Sequence, residues 1–191
     1  MRPEVATAKR DQMSIIERTP PLPEIDRSLF RAVMGRFATG VTVITTKVGE
    51  EVRGMTANAF MSGSLSPPLC VISVAKRAHM HKLLLDSGRF AVNMLAEHQG
   101  DLAPHFAGKP DEGLAVEFRD VDGIPTLADF AAFITAETAT TYECGDHTIF
   151  IGHIRHMEAG NWPPLLYHAG RYGKLVETRF DEEVFPITEF W

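Results

Sequence analysis

Two runs rich in β-branched residues, at positions 41–46 and 69–74, bracket a stretch of a different kind. That stretch reads Gly54-Met55-Thr56-Ala57-Asn58-Ala59-Phe60, then Ser64-Leu65-Ser66-Pro67-Pro68. β-Branched side chains suit extended chain, so both flanking runs are expected as strands, the second of them buried. Between them, Thr56, Ala57, Asn58 and Ala59 are small enough for something flat to lie against the backbone. Main-chain N–H groups, hydroxyls and the Asn58 amide would then be free to hydrogen-bond it. A plain edge strand ending in a Ser-Pro-Pro turn gives the same pattern. The residues alone leave both readings open.

The rest of the chain favours β-structure with a few helices. Residues 1–24 are expected to be a flexible arm, because Thr19-Pro20-Pro21-Leu22-Pro23 fits neither helix nor central strand. One domain is expected over 25–191. Asp26 is a good N-cap for a helix whose apolar face is Leu29, Phe30, Val33, Met34 and Phe37, with Gly40 as its stop. Gly49-Glu50-Glu51 should turn the first strand into the next. A short helix over 81–86 should stop at Gly88, a strand is expected over 89–95, and a helix over 97–106 should end at Gly108. Residues 113–128 carry turn signals but no clear period. Residues 130–142 and 148–157 read as a long hairpin around Glu143-Cys144-Gly145-Asp146. Trp162-Pro163-Pro164 breaks the chain before Leu165-Leu166-Tyr167-His168, and the tail over 178–191 is acidic with Phe180, Phe185, Phe190 and Trp191. β-Branched runs joined by short turns point to an antiparallel barrel with flanking helices rather than a parallel α/β sheet. No glycine-rich dinucleotide fingerprint is present, which argues against a Rossmann site.

Composition narrows the function classes. A length of 191 residues with 45% apolar and 23% charged content suits one soluble domain with a real core. The net charge of −6 argues against nucleic acid or an anionic membrane as partner. Cys70 and Cys144 are too few for a disulfide framework, and Cys70 lies in an apolar run where burial is the expected fate. No run is long enough for a membrane helix and no secretory signal opens the chain, so a cytoplasmic protein is expected. Neither His79 with His81 nor His153 with His156 comes with a zinc-type ligand set, and no metal site is expected.

The motif blocks together resemble the short-chain flavin reductases, the reductase components of two-component flavin monooxygenases. The resemblance rests on residues 54–60 and 64–68, and on Phe37-Ala38-Thr39-Gly40-Val41-Thr42-Val43-Ile44-Thr45. It continues through Ser87-Gly88-Arg89-Phe90-Ala91-Val92-Asn93-Met94-Leu95 and Gly145-Asp146-His147-Thr148-Ile149-Phe150-Ile151-Gly152. Its last block is Pro164-Leu165-Leu166-Tyr167 with Gly170-Arg171-Tyr172. It covers roughly residues 30–175, in order. What it implies is an antiparallel split β-barrel of the FMN-binding type, a homodimer, and an NAD(P)H:flavin oxidoreductase. Such an enzyme reduces FAD or FMN with NADH or NADPH and supplies reduced flavin to a partner monooxygenase. By the same resemblance Thr56, Ala57, Asn58 and Ala59 contact the flavin ring, and Ser73, Val74 and Ala75 flank its ribityl chain. The positions that usually hold its phosphate with hydroxyls are Ala78 and Met80 here, a departure that leaves Lys76, Arg77 and His79 as candidates. Phe106 belongs near the flavin edge, Tyr172 in the last block, and His147 over the nicotinamide. No residue is expected to act as a catalytic acid or base. Two alternatives fit the same resemblance: a non-enzymatic flavin-binding electron-transfer protein, and a reductase acting on another acceptor such as a corrinoid.

Overall fold

The computed structural model describes residues 24–176, which divide into two units between Met34 and Gly35. The first unit contains helix α1 (Arg27–Met34). Its start is the expected one, since the Leu29 N–H donates to the Asp26 carboxylate at 2.7 Å. Its apolar residues Leu29, Phe30, Val33 and Met34 are all exposed. The helix ends before Phe37, and Gly40 is not its stop. Gly40 lies instead in a short strand, β1 (Thr39–Gly40), whose backbone is claimed by Tyr167 and Leu166 from far along the chain.

In the second unit the β-branched runs form β2 (Thr42–Val48) and β5 (Pro68–Ala75), and the stretch between them forms β3 (Glu51–Ala57) and β4 (Phe60–Leu65). Helix α2 (His79–Ser87) begins two residues before its expected start and stops at Gly88, whose φ of 63° a glycine adopts without strain. Strand β6 (Arg89–Met94) follows. The helix expected over 97–106 shrinks to α3 (Leu102–Phe106). The preceding residues are diverted: the Glu97 N–H donates to the Pro163 carbonyl and the Gln99 side chain accepts from the Ala96 N–H. Residues without a readable period form a hairpin, β7 (Phe118–Val121) and β8 (Ile124–Leu127). Then come the long hairpin β9 (Ala132–Cys144) and β10 (His147–Ala159), and a closing one, β11 (Leu165–His168) and β12 (Arg171–Lys174). The proline-rich arm before residue 24 and the aromatic tail after 176 lie outside the described residues.

All strand pairs are antiparallel, and the largest sheet has seven strands in the order β3-β2-β6-β9-β10-β5-β4. Its two edges, β3 and β4, are consecutive in the chain and joined only by Asn58 and Ala59. The sheet must therefore curl until its edges meet at that corner. The protein is thus mainly β, with few helices.

Strand β2 explains where the core sits. With a side-chain period of two, Ile44 points into one apolar cluster with Ile72, Leu84, Phe90 and Phe150, while Val41 and Val43 point into another with Leu95, Leu127 and Leu165. Its buried threonines are each satisfied: Thr42 donates to the Ala57 carbonyl, Thr45 to Pro125 and Thr46 to Arg89. Fully buried Asn93 donates to the Val43 carbonyl at 2.8 Å and accepts from the Leu127 N–H at 2.8 Å. That one side chain ties β6 to β2 and to the hairpin that no periodicity announced. Gly152 is needed beneath Phe90, because a Cβ there would lie 2.7 Å from the ring. Cys70 is buried, as expected, and burial pushes its thiol up to about 11.

Candidate functional site

The corner at Asn58 and Ala59 is the place where the sheet leaves its backbone open. Strand β3 pairs with β2 up to Ala57, and β4 pairs with β5 from Phe60. Between them, the Ala59 carbonyl accepts from the Ser73 N–H at 3.1 Å. The corner residues Thr56–Ala59 are thereby joined to Ser73 on β5.

A cavity of about 260 Å³ opens at this corner, lined by Thr56, Ala57 and Asn58 together with Val41, Ala107, Tyr167 and Tyr172. Beyond the shared wall of Val41 and Asn58 lies a second hollow of about 320 Å³, to which Thr39, Phe60 and Met94 contribute. Three features suit a flat ring with a polar edge. The side chains at the corner are small. The Asn58 amide has no hydrogen-bond partner among the described residues, and the buried Thr39 hydroxyl has none either. Tyr167 and Tyr172 pack with ring centroids 5.5 Å apart and wall the cavity. Partial burial, then the neighbouring Tyr167, raise the Tyr172 phenol above its ordinary value.

Not every residue singled out in the sequence meets the cavity. The Thr56 hydroxyl is spent on the Ala103 carbonyl at 2.7 Å, so Thr56 holds α3 against β3 and lines the cavity with its remaining surface. Phe106 is absent from the lining; its ring lies across Gly54, where a Cβ would be 2.5 Å away. Ala107 takes the place at the wall. Val74 points into the core, and Ser73 and Ala75 point the other way, as β5 alternates. Tyr167, Val41 and Thr39 were not singled out, although all three lie in the motif blocks.

From the corner, β5 runs on to the basic turn. Ala75 is paired with His147, and the Lys76 N–H donates to the Asp146 carbonyl at 2.9 Å, so Lys76, Arg77 and His147 share one rim. Lys76 Nζ is 3.5 Å from Glu143, and His79 is 3.6 Å from Glu51 on β3. Met80 is buried in the core and Ala78 sits at the N-cap of α2 without a side-chain cap. The half-exposed His147 ring lies with Nδ1 2.7 Å from Asp146 Oδ1. That hydrogen bond holds the Asp146 carboxyl below its ordinary range. With Nδ1 turned to Asp146, His147 leaves its Nε2 free of that contact.

The site is thus a cavity at the corner of an antiparallel β-sheet, between small side chains and a pair of tyrosines. Its membership is specific: the chain belongs to the family described as flavin reductase like domain, whose model matches residues 34–176. It is 41% identical over 151 residues to the reductase component of 4-hydroxyphenylacetate 3-monooxygenase from Thermus thermophilus, covering 78% of this chain and 97% of that one. It is 42% identical over 161 residues to an NADH-dependent FAD reductase from Streptomyces globisporus, covering 79% of this chain and 87% of that one. The solved structure of the flavin reductase PheA2 in its native state superposes with a TM-score of 0.78 at 41% identity, covering 80% of this chain and 100% of that one.

Proposed function

We propose that this chain is an NAD(P)H-dependent flavin reductase that reduces FAD or FMN and supplies the reduced flavin to a partner monooxygenase. The corner cavity carries this reading, because its open backbone, unpaired Asn58 amide and orphaned Thr39 hydroxyl offer what a flavin's polar edge requires. When bound, the cofactors supply the chemistry, a hydride passed from a reduced nicotinamide to a flavin. The protein binds and orients. Ala57, Ala59 and Ser73 keep the floor flat, Asn58 fixes the edge, and Tyr172 excludes water from one side. Lys76, Arg77 and His79, with the uncapped start of α2, are placed to hold a phosphate. His147 Nε2 is placed to hydrogen-bond a carboxamide. None of these residues needs to transfer a proton.

The curled seven-stranded sheet is best read as the split barrel, with residues 25–191 as one functional domain and 1–24 as an arm. A homodimer is supported by β4, an edge strand that exposes Met61 and Leu65 at 59% and 72%. An obligate dimer should bury more than about 2,000 Å² in total. Light scattering at micromolar concentration should give twice the monomer mass. Dependence on a reduced pyridine nucleotide supports a cytoplasmic enzyme.

The deciding experiment is steady-state oxidation of NADH and NADPH with and without added flavin. Turnover that requires and scales with added FAD or FMN is expected. Tightly held flavin without nicotinamide turnover would make the chain an electron carrier, and turnover only with a corrinoid would reassign its acceptor.

A further inference from the structure

The β11–β12 hairpin has two faces, and only one belongs to the corner cavity. Tyr167 and Tyr172 are paired across it and share the face that lines that cavity. His168 is paired with Arg171, and Leu166 with Gly173, on the opposite face. That face borders a cleft of about 510 Å³ whose lining also includes Ala38, Tyr172 and Lys174. Gly173 has open space where a Cβ would stand, so the floor is bare backbone. β12 is the outer strand of its sheet and turns the corner between cleft and cavity.

Charge distinguishes this cleft. In a chain of net charge −6, Arg171 and His168 stand on its face with no carboxylate in salt-bridge contact among the described residues. Lys174 at the edge is 3.5 Å from Glu97, so one acid faces the group. A guanidinium left free beside bare strand backbone is suited to a phosphate oxygen. The first basic group, at Lys76, reaches the corner through Ser73 and Ala59; this second one reaches it past Tyr172. Two anionic groups can therefore be served at once from one ring site.

We propose that the Arg171 cleft binds the diphosphate of a dinucleotide whose ring end lies in the corner cavity. This rests on the flavin reductase reading for the identity of the ring. The diphosphate belongs either to the nicotinamide donor or to FAD, and the test separates them.

The probe is ADP-ribose, which carries adenosine and diphosphate but neither ring. Titration calorimetry of the full chain should show binding that weakens at least fivefold in Arg171→Ala and recovers in part in Arg171→Lys. Absence of binding by the unaltered protein, or equal affinity in Arg171→Ala, overturns the proposal. In the unaltered enzyme, ADP-ribose that competes with NADH at fixed riboflavin assigns the cleft to the donor. Competition with FAD and not with NADH assigns it to FAD. Competition with riboflavin would place the probe in the ring site and overturns the proposal. Should riboflavin, FMN and FAD all support no NADH oxidation, the flavin reductase reading fails, while the calorimetric result still decides whether the cleft holds a diphosphate.

Discussion

Lys76, Arg77 and His79, beside the start of α2, meet carboxylates brought from other strands, whereas His168 and Arg171 on the closing hairpin meet none among the described residues. Glu143 from the end of β9 lies against Lys76, Glu51 from β3 against His79, and Asp146, held chiefly by His147, also feels Arg77. Read as sequence, the first group is the conspicuous basic cluster and the second is scattered through a hairpin. Folded, Lys76 and His79 each face a carboxylate, whereas Arg171 and His168 face none among the described residues. Positive charge available to a ligand is a property of the tertiary structure, because an exposed ion pair already in place must be given up, or shared, before a phosphate can use its cation. With Ala78 and Met80 offering no hydroxyl, flavin should bind loosely and exchange, as a diffusible product would.

The largest effect should come from removing the first group. Lys76→Ala combined with Arg77→Ala should weaken FMN binding about 10–100-fold, the loss of one charge-assisted contact of roughly 1.5–3 kcal/mol, with riboflavin affinity little changed. Fluorescence titration with both flavins reads it, and equal losses for FMN and riboflavin would remove this group from the phosphate.

A smaller effect is expected one pair along the same rim. His147→Ala should raise the apparent NADH dissociation constant about fivefold, one hydrogen bond of about 1 kcal/mol, and leave flavin affinity alone. Stopped-flow reduction across NADH concentrations measures both. If the folded variant keeps its NADH affinity and limiting rate, the imidazole only braces the turn at Gly145 and Asp146.

Freeing a cation should do the reverse of deleting one. Glu143→Gln releases Lys76, and FMN should bind about 2–5-fold more tightly at low ionic strength, the scale of an exposed ion pair. The gain should fade at about 0.5 M salt, where screening shortens the reach of such charges. An unchanged FMN affinity would mean that Lys76 is not held back by Glu143.

The smallest effect concerns pH. The Glu51 carboxyl is held below its ordinary value of 4.5, first by the Arg53 hydrogen bond and then by that of His79. A depressed carboxyl stabilises the fold at pH above its unfolded value, and that stabilisation is lost as pH falls through the folded value. The melting temperature of the protein should therefore exceed that of Glu51→Gln by a small constant amount above about pH 4.5 and converge with it in more acid solution. Curves that stay parallel down to pH 3 would show that the carboxylate is not coupled to folding.

What the sequence alone determined is what local chemistry encodes. β-Branched runs gave the strands, Asp26 and Gly88 gave a helix start and a helix stop, and Gly145 gave the turn of the long hairpin. The row Thr56-Ala57-Asn58-Ala59 was legible as a surface too small to fill its own space. The tertiary structure decided everything that depends on a partner distant in the chain. Asn93 holds the β7–β8 hairpin by hydrogen bonds that leave no period in residues 113–128. Ala96, Glu97 and Gln99 are drawn out of a helical pattern by Pro163, Pro164 and by Gln99's own side chain. Phe106 turns onto Gly54, so Ala107 reaches the cavity in its place, and Tyr167 and Tyr172 complete a wall begun by residues of β3. Periodicity and caps are written in neighbouring residues. Pairing of a carboxylate with a lysine, or of a ring with a glycine, is fixed only when strands distant in sequence are brought into register, and that register is set by the shared core of Ile44, Phe90 and Phe150.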